Sequence, residues 1–90
     1  MRYYSIDMED SYANWGSLTL MYEVDEEGEV LRQIEVYKSG RVLFYDQEHE
    51  EDEYGSLSEP LHEHERYMRQ FEISSKDFER AWRSLRPLNR

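Results

Sequence analysis

The chain contains no cysteine, which excludes disulfide staples and thiolate metal sites and is compatible with a reducing compartment, the cytoplasm by default. Glycine is scarce, and its four residues at 16, 28, 40 and 55 are isolated, so no glycine-rich loop is available to cradle phosphate. A G-x-S-x-G elbow is absent as well, and Ser17 has no base beside it in the sequence. No stretch approaches the roughly 18 apolar residues of a membrane span. Asp7, Glu9 and Asp10 enter before any apolar run forms, unlike a signal peptide, so a soluble, unexported protein is expected. Cations are also few: 11 Lys and Arg stand against 21 Asp and Glu, for a net charge of -10. Such an excess repels nucleic acid and anionic lipid, and neither is expected as a partner.

Aromatic residues are plentiful. Eight Tyr, three Phe and two Trp are too many for a solvating tail, although a mean hydropathy of -1.04 on its own leans that way. Residues 1–90 are therefore read as one folded domain with a small, aromatic-rich core, because a chain of this length hides only about two thirds of its surface.

Residues 18–25 alternate, with Leu18, Leu20, Tyr22 and Val24 on one side and Thr19, Met21, Glu23 and Asp25 on the other, the signature of a half-buried strand. Gly28 ends it, the β-rich run from Val30 to Lys38 makes a second strand, and Ser39-Gly40 leads into a third through what the two-residue spacing predicts to be a primed turn. The segment 18–46 thus reads as a three-stranded meander. An earlier strand is expected from Tyr4, Ile6 and Met8. Leu57, Leu61, His64, Met68 and Phe71 recur at three and four residues, and with Ser58 and Pro60 as a start this predicts a helix near 59–69. The C-terminal helix, 75–85, has Ser74 as its cap and Phe78, Ala81, Trp82 and Leu85 as its apolar stripe. The whole is an α+β fold: an antiparallel sheet of about four strands, with the last helix packed on one face.

Charge is unevenly placed. Residues 1–65 hold 18 Asp/Glu against four Lys/Arg, a net of -14, whereas residues 66–90 hold three against seven, a net of +4. The densest run puts Asp46, Glu48, Glu50, Glu51, Asp52 and Glu53 into eight positions, with His49 among them. Read as a calcium loop from Asp46, it needs Gly at its sixth position and Glu at its twelfth, but Glu51 and Leu57 stand there. His62 and His64 are two apart, which on a helix aims them away from each other, and the H-E-x-x-H spacing is absent. Neither a cofactor nor a metal is expected. With no pocket implied, the many carboxylates by themselves specify no acid–base chemistry.

The stretch "YEVDEEGEVLRQIEVYKSGRVLFYD" and the later "EISSKDFERAWRS" resemble a bacterial family of short, acidic, functionally uncharacterised single-domain proteins, over residues 15–46 and 72–84. The resemblance implies a bacterial origin and a compact α+β fold, and it carries over no catalytic residue. The more acidic, histidine-bearing segment 47–71 departs from that pattern.

These features favour a non-catalytic interaction protein over an enzyme. Acidic charge steers a basic partner quickly, and aromatic anchors slow its release. The expected role is an inhibitor or immunity-type protein that occludes the nucleic-acid-binding surface of a toxin or nuclease. Asp46, Glu48, Glu50, Glu51, Asp52 and Glu53 are expected to steer, with Tyr45, Tyr54, Tyr12 and Trp15 as anchors. Two alternatives stand beside it: a metal-binding module or metal-dependent enzyme using His49, His62, His64 and nearby acids, and a regulatory subunit that oligomerises through an exposed sheet edge.

Overall fold

The alternation in the sequence becomes a continuous antiparallel sheet. The computed structural model describes residues 1–9 and 13–90. In it β1 (Arg2–Met8), β2 (Leu18–Val24), β3 (Val30–Tyr37) and β4 (Val42–Asp46) follow one another as neighbours, and a two-residue β5 (Glu72–Ile73) pairs on the far side of β1. The expected meander is present and is extended by β1, whose neighbour is β2. With β5 the sheet has five strands rather than four. Two helices complete the fold, α1 (His64–Met68) and α2 (Ser75–Ser84).

The Ser39-Gly40 hairpin departs from the expected two-residue turn, and the Gly28 hairpin is built the same way. Gly28 N–H donates to Asp25 O and Asp25 N–H to Glu29 O, and Gly40 N–H donates to Tyr37 O and Tyr37 N–H to Arg41 O. Each loop therefore has three residues, ending in a glycine with φ of +84° at Gly28 and +100° at Gly40. A primed turn needs left-handed residues at its centre. Here Lys38 and Ser39 keep negative φ and the strain falls on the one residue without a Cβ.

Register sets which side chains share a face. Tyr4, Tyr22, Gln33 and Tyr45 lie opposite one another in one row across the sheet, and Tyr3, Glu23 and Arg32 form the adjacent row on the other face. The second face is covered by α2, whose Phe78 is fully buried against Ile34, Val42 and Phe44, with Ala81, Trp82 and Leu85 beside it. The predicted stripe is the packed one. Ser74 Oγ accepts from Asp77 N–H at 3.1 Å, the cap the sequence predicts.

The first face is covered by the chain between β4 and α1. There the predicted helix over 59–69 is corrected: the α-helix spans only His64–Met68, continues as a 3-10 turn (Arg69–Phe71), and residues 57–61 run as an irregular strap. The strap's backbone is engaged elsewhere. Leu57 N–H donates to Glu50 O, Leu61 N–H to Gly28 O, and Ser58 N–H to the Gln33 side chain. Leu57 and Leu61 do face the core, against Tyr22 and Val30, so their spacing reports a shared buried side and not a helical turn.

Candidate functional site

The acidic run folds into two tight turns. In the first, Asp46 and His49 exchange backbone hydrogen bonds, and Asp46 Oδ1 accepts from Glu48 N–H. In the second, Asp52 Oδ1 accepts from the Tyr54 and Gly55 amides. The carboxylate of Asp52 also accepts from Tyr45 Oη at 2.8 Å and from Asn89 Nδ2 at 2.8 Å, and it lies 2.7 Å from His49 Nε2. Burial alone raises the pKa of this carboxyl, but the His49, Asn89 and Tyr45 contacts outweigh it and hold the group well below the usual carboxylate range. Asp46 is likewise held low by the Arg90 guanidinium at 2.9 Å, against the effect of its own burial.

The run therefore divides by role. Asp46 and Asp52 are half-buried and point at partners within the chain, whereas Glu48, Glu50, Glu51 and Glu53 are exposed. Tyr45 is 0% exposed, a correction to its place among the anchors, since it presents no surface to a partner. Burial, then Asp52, raises its hydroxyl pKa, so it stays a donor. Tyr54 and Trp15 are half-buried and pack on each other at 5.7 Å between ring centroids, with Tyr37 edge-on to Trp15 at 5.0 Å. They lie over the Leu18, Leu43 and Tyr45 cluster as a lid. Tyr12 lies outside the described residues.

The exposed carboxylates have company that spacing alone does not reveal. The strap brings Glu59 back toward Glu50 and Glu51, and the β2–β3 hairpin adds Glu29, so that these four line a groove of about 360 Å³. None of the four has an ion-pair partner among the described residues. The groove is acidic because the three loops that meet there each carry glutamate. Its floor is supplied by Val30 and Leu57.

What anchors this surface is the row of polar groups beneath it. Tyr4 Oη donates to Glu65 of α1 at 2.7 Å, Tyr22 Oη and Ser58 Oγ share a hydrogen bond at 2.7 Å, and Gln33, 2% exposed, bonds both Ser56 O and Ser58 N–H. Burial, with Glu65 beside it, pushes the Tyr4 hydroxyl up to about 12. These residues were not singled out by sequence. The signal available was the run of tyrosines at alternate strand positions, whose hydroxyls need partners when buried.

The other face has its own polar centre. Arg32 donates to both oxygens of Glu23, at 2.6 and 2.9 Å, and to Glu79 of α2, while Tyr3 Oη donates to Glu23 at 2.9 Å. The guanidinium carbon lies 5.0 Å from the centroids of both Phe78 and Trp82. Arg32 lowers the pKa of Glu23 against the effect of burial, and Glu23 in turn raises that of Arg32. The guanidinium is shared between Glu23 of β2 and Glu79 of α2, so this centre holds α2 to the sheet.

His49, His62 and His64 do not converge. His49 is committed to Asp52, His62 turns the chain at φ +46°, and His64 opens α1. No group of three or more His, Asp or Glu side chains among the described residues is arranged to hold a metal ion. No helix among them is long and apolar enough to cross a membrane.

The sequence model of a family described as Domain of unknown function (DUF6881) matches residues 3–87, nearly the whole chain. The chain belongs to that family. The DUF6881 match runs from the second residue of β1 through α2, so the acidic groove and the row of tethers beneath it lie inside the family's own domain. Neither a curated protein nor a solved structure matches the chain.

Proposed function

We propose that this DUF6881 chain is a non-catalytic protein-binding domain of the bacterial cytoplasm that occupies a basic surface on a partner, in the manner of an inhibitor or immunity protein of a nuclease-type toxin. The observation that carries the reading is the groove in which Glu29, Glu50, Glu51 and Glu59 stand exposed without counter-charges of their own. Four uncompensated carboxylates on one concavity generate a field that raises the association rate of a cationic protein, and burying them against Lys or Arg supplies the pairs the chain itself withholds. Half-buried Trp15 and Tyr54 lie on the same face of the sheet and add apolar area at low entropic cost. The exposed Glu48 and Glu53 extend the field.

The test is affinity capture from a lysate of the source organism at low and moderate salt, with the wild-type chain beside a Glu50→Gln, Glu51→Gln, Glu59→Gln triple variant. Any captured protein is then purified and titrated against both. A cationic protein that wild type retains at low salt, and that the variant binds at least tenfold more weakly, supports the reading. Equal binding to wild type and variant refutes it. The variant itself is expected to unfold within about 0.5 kcal/mol of wild type, because all three side chains are exposed and unpaired.

A further inference from the structure

The strap that covers the first face is a ridge with a groove on either side. On the side of β3 and the acidic turns lies the groove of Glu29, Glu50, Glu51 and Glu59. On the side of β1 lies a second groove, of about 370 Å³, lined by Ile6, Met8, Leu20, Leu61 and Met68, with His64 at its rim. Glu59 and Pro60 line both grooves, so a single pair of strap residues divides an acidic concavity from an apolar one. The divide is held from both ends. Ser58 N–H donates to the Gln33 side chain before the pair, Leu61 N–H donates to Gly28 O after it, and the Pro60 ring fixes its own φ.

The second groove has the marks of a contact surface. Met8 is 42% exposed, one of four large apolar side chains that stand exposed among the described residues, and it shares this concavity with Ile6, Leu20 and Met68, so the apolar surface is contiguous and rimmed by polar groups. The thioethers of Met8 and Met68 adapt to aliphatic chains of different shape. We propose that one segment of the basic partner fills both grooves: its lysine or arginine side chains pair with the glutamates on the β3 side, and an aliphatic side chain of the same segment crosses Pro60 into the Ile6–Leu20–Met68 groove. Charge selects this occupant. Glu59, on the shared wall, has no ion-pair partner among the described residues, so whatever fills the apolar groove comes to rest beside an uncompensated carboxylate. That disfavours an anionic amphiphile, and a second copy of the chain, itself carrying -10, is repelled as well.

The inference rests on the reading of the chain as a binder of basic proteins and adds what holds the partner once charge has brought it in. It is tested with the full chain and two synthetic peptides, one with lysines in its first half and leucines in its second, the other with serine in place of each leucine. Both carry the same charge, so both are expected to associate at similar, salt-sensitive rates. The leucine peptide is expected to dissociate at least about tenfold more slowly, the effect of burying one aliphatic side chain. It alone is expected to shift the methyl resonances of Met8 and Met68, while Met21, on the α2 face, stays unmoved. In Met8→Gln, altered only at an exposed side chain, the gap between the two peptides is expected to narrow, with the thermal midpoint and serine-peptide binding unchanged.

Equal dissociation of the two peptides overturns the inference and leaves charge-driven binding at the acidic groove standing. Leucine-peptide binding that the Glu50→Gln, Glu51→Gln, Glu59→Gln triple variant retains in full overturns it as well, since the apolar groove then acts without the acidic one. Binding of neither peptide does the same. Methyl shifts at Met8 and Met68 that grow with protein concentration in the absence of peptide identify a second copy as the occupant and likewise overturn the proposal.

Discussion

The two faces of the sheet are closed by opposite means. On one, α2 lays down a Phe78–Ala81–Trp82–Leu85 stripe and a single charged centre, Arg32 between Glu23 and Glu79, and shows solvent the cations Lys76, Arg80 and Arg83. On the other, an irregular strap is held by Tyr22, Gln33 and Tyr45 and shows solvent carboxylates. A helix satisfies its own backbone and so needs only an apolar stripe beneath it. An irregular segment brings unpaired amides and carbonyls to the core and must be met by side chains reaching out of the sheet. The cover that costs more polar groups is the one whose loops are free to carry function.

The largest effect is expected on the helix face. Arg32→Ala leaves the Glu23 carboxylate buried without its main partner, and a loss of about 3 to 5 kcal/mol in denaturant unfolding is expected. A loss under about 1 kcal/mol means that water reaches Glu23 freely and that the centre is not what seats α2.

A smaller loss, about 2 to 3 kcal/mol, is expected for Asp52→Ala on the strap face, since it strands the buried Tyr45 hydroxyl and leaves the Asn89 amide nitrogen with Phe44 O alone. The same contacts set the pH response. Asp52 and Asp46, like Glu23 on the helix face, have pKa values lower in the folded chain than in the unfolded one. The stability they confer is complete above the unfolded values of about 4 and is lost as pH falls through the folded ones. Unfolding curves of wild type and Asp52→Ala are therefore expected to draw together progressively as pH falls below about 4; a constant gap down to pH 2 contradicts the assigned role of the Asp52 charge.

Gly28→Ala tests the join between strap and sheet. A Cβ there sits 3.0 Å from His62 N while φ is +84°, so about 1 to 3 kcal/mol is expected. Faster exchange at the Leu61 amide, which bonds Gly28 O, is the accompanying sign. Gly40→Ala meets open space and should show the backbone cost alone, with no change at Leu61.

Legibility followed the range of the interactions. The alternation of Leu18 to Val24, the places of the two hairpins (though not the turn type at Ser39-Gly40), the Ser74 cap and the α2 stripe all depend on neighbours within about one turn or one strand, and they are read correctly from sequence. The helix predicted over 59–69 is shorter in the structure because spacings of three and four also arise without a helix: Leu57 and Leu61 reach one core from an extended strap. Among the site residues, Glu50 and Glu51 are exposed. Tyr45, adjacent to the acidic run in sequence, points inward because strand alternation puts it on the face that Leu57 and Tyr54 cover.

By itself the sequence determined that this chain is acidic, that it folds on an aromatic core, and where most of its strands and its long helix lie, because composition and local periodicity are properties of neighbouring residues. Only the tertiary structure decided which carboxylates are spent on the fold and which are left exposed without a counter-charge. Asp52 and Glu51 are adjacent acids, and what separates them is the hydroxyl of Tyr45 and the amide of Asn89, brought to Asp52 from 7 and 37 residues away. A charge becomes structural when long-range packing supplies donors for it in a place water cannot, and no local pattern encodes that meeting.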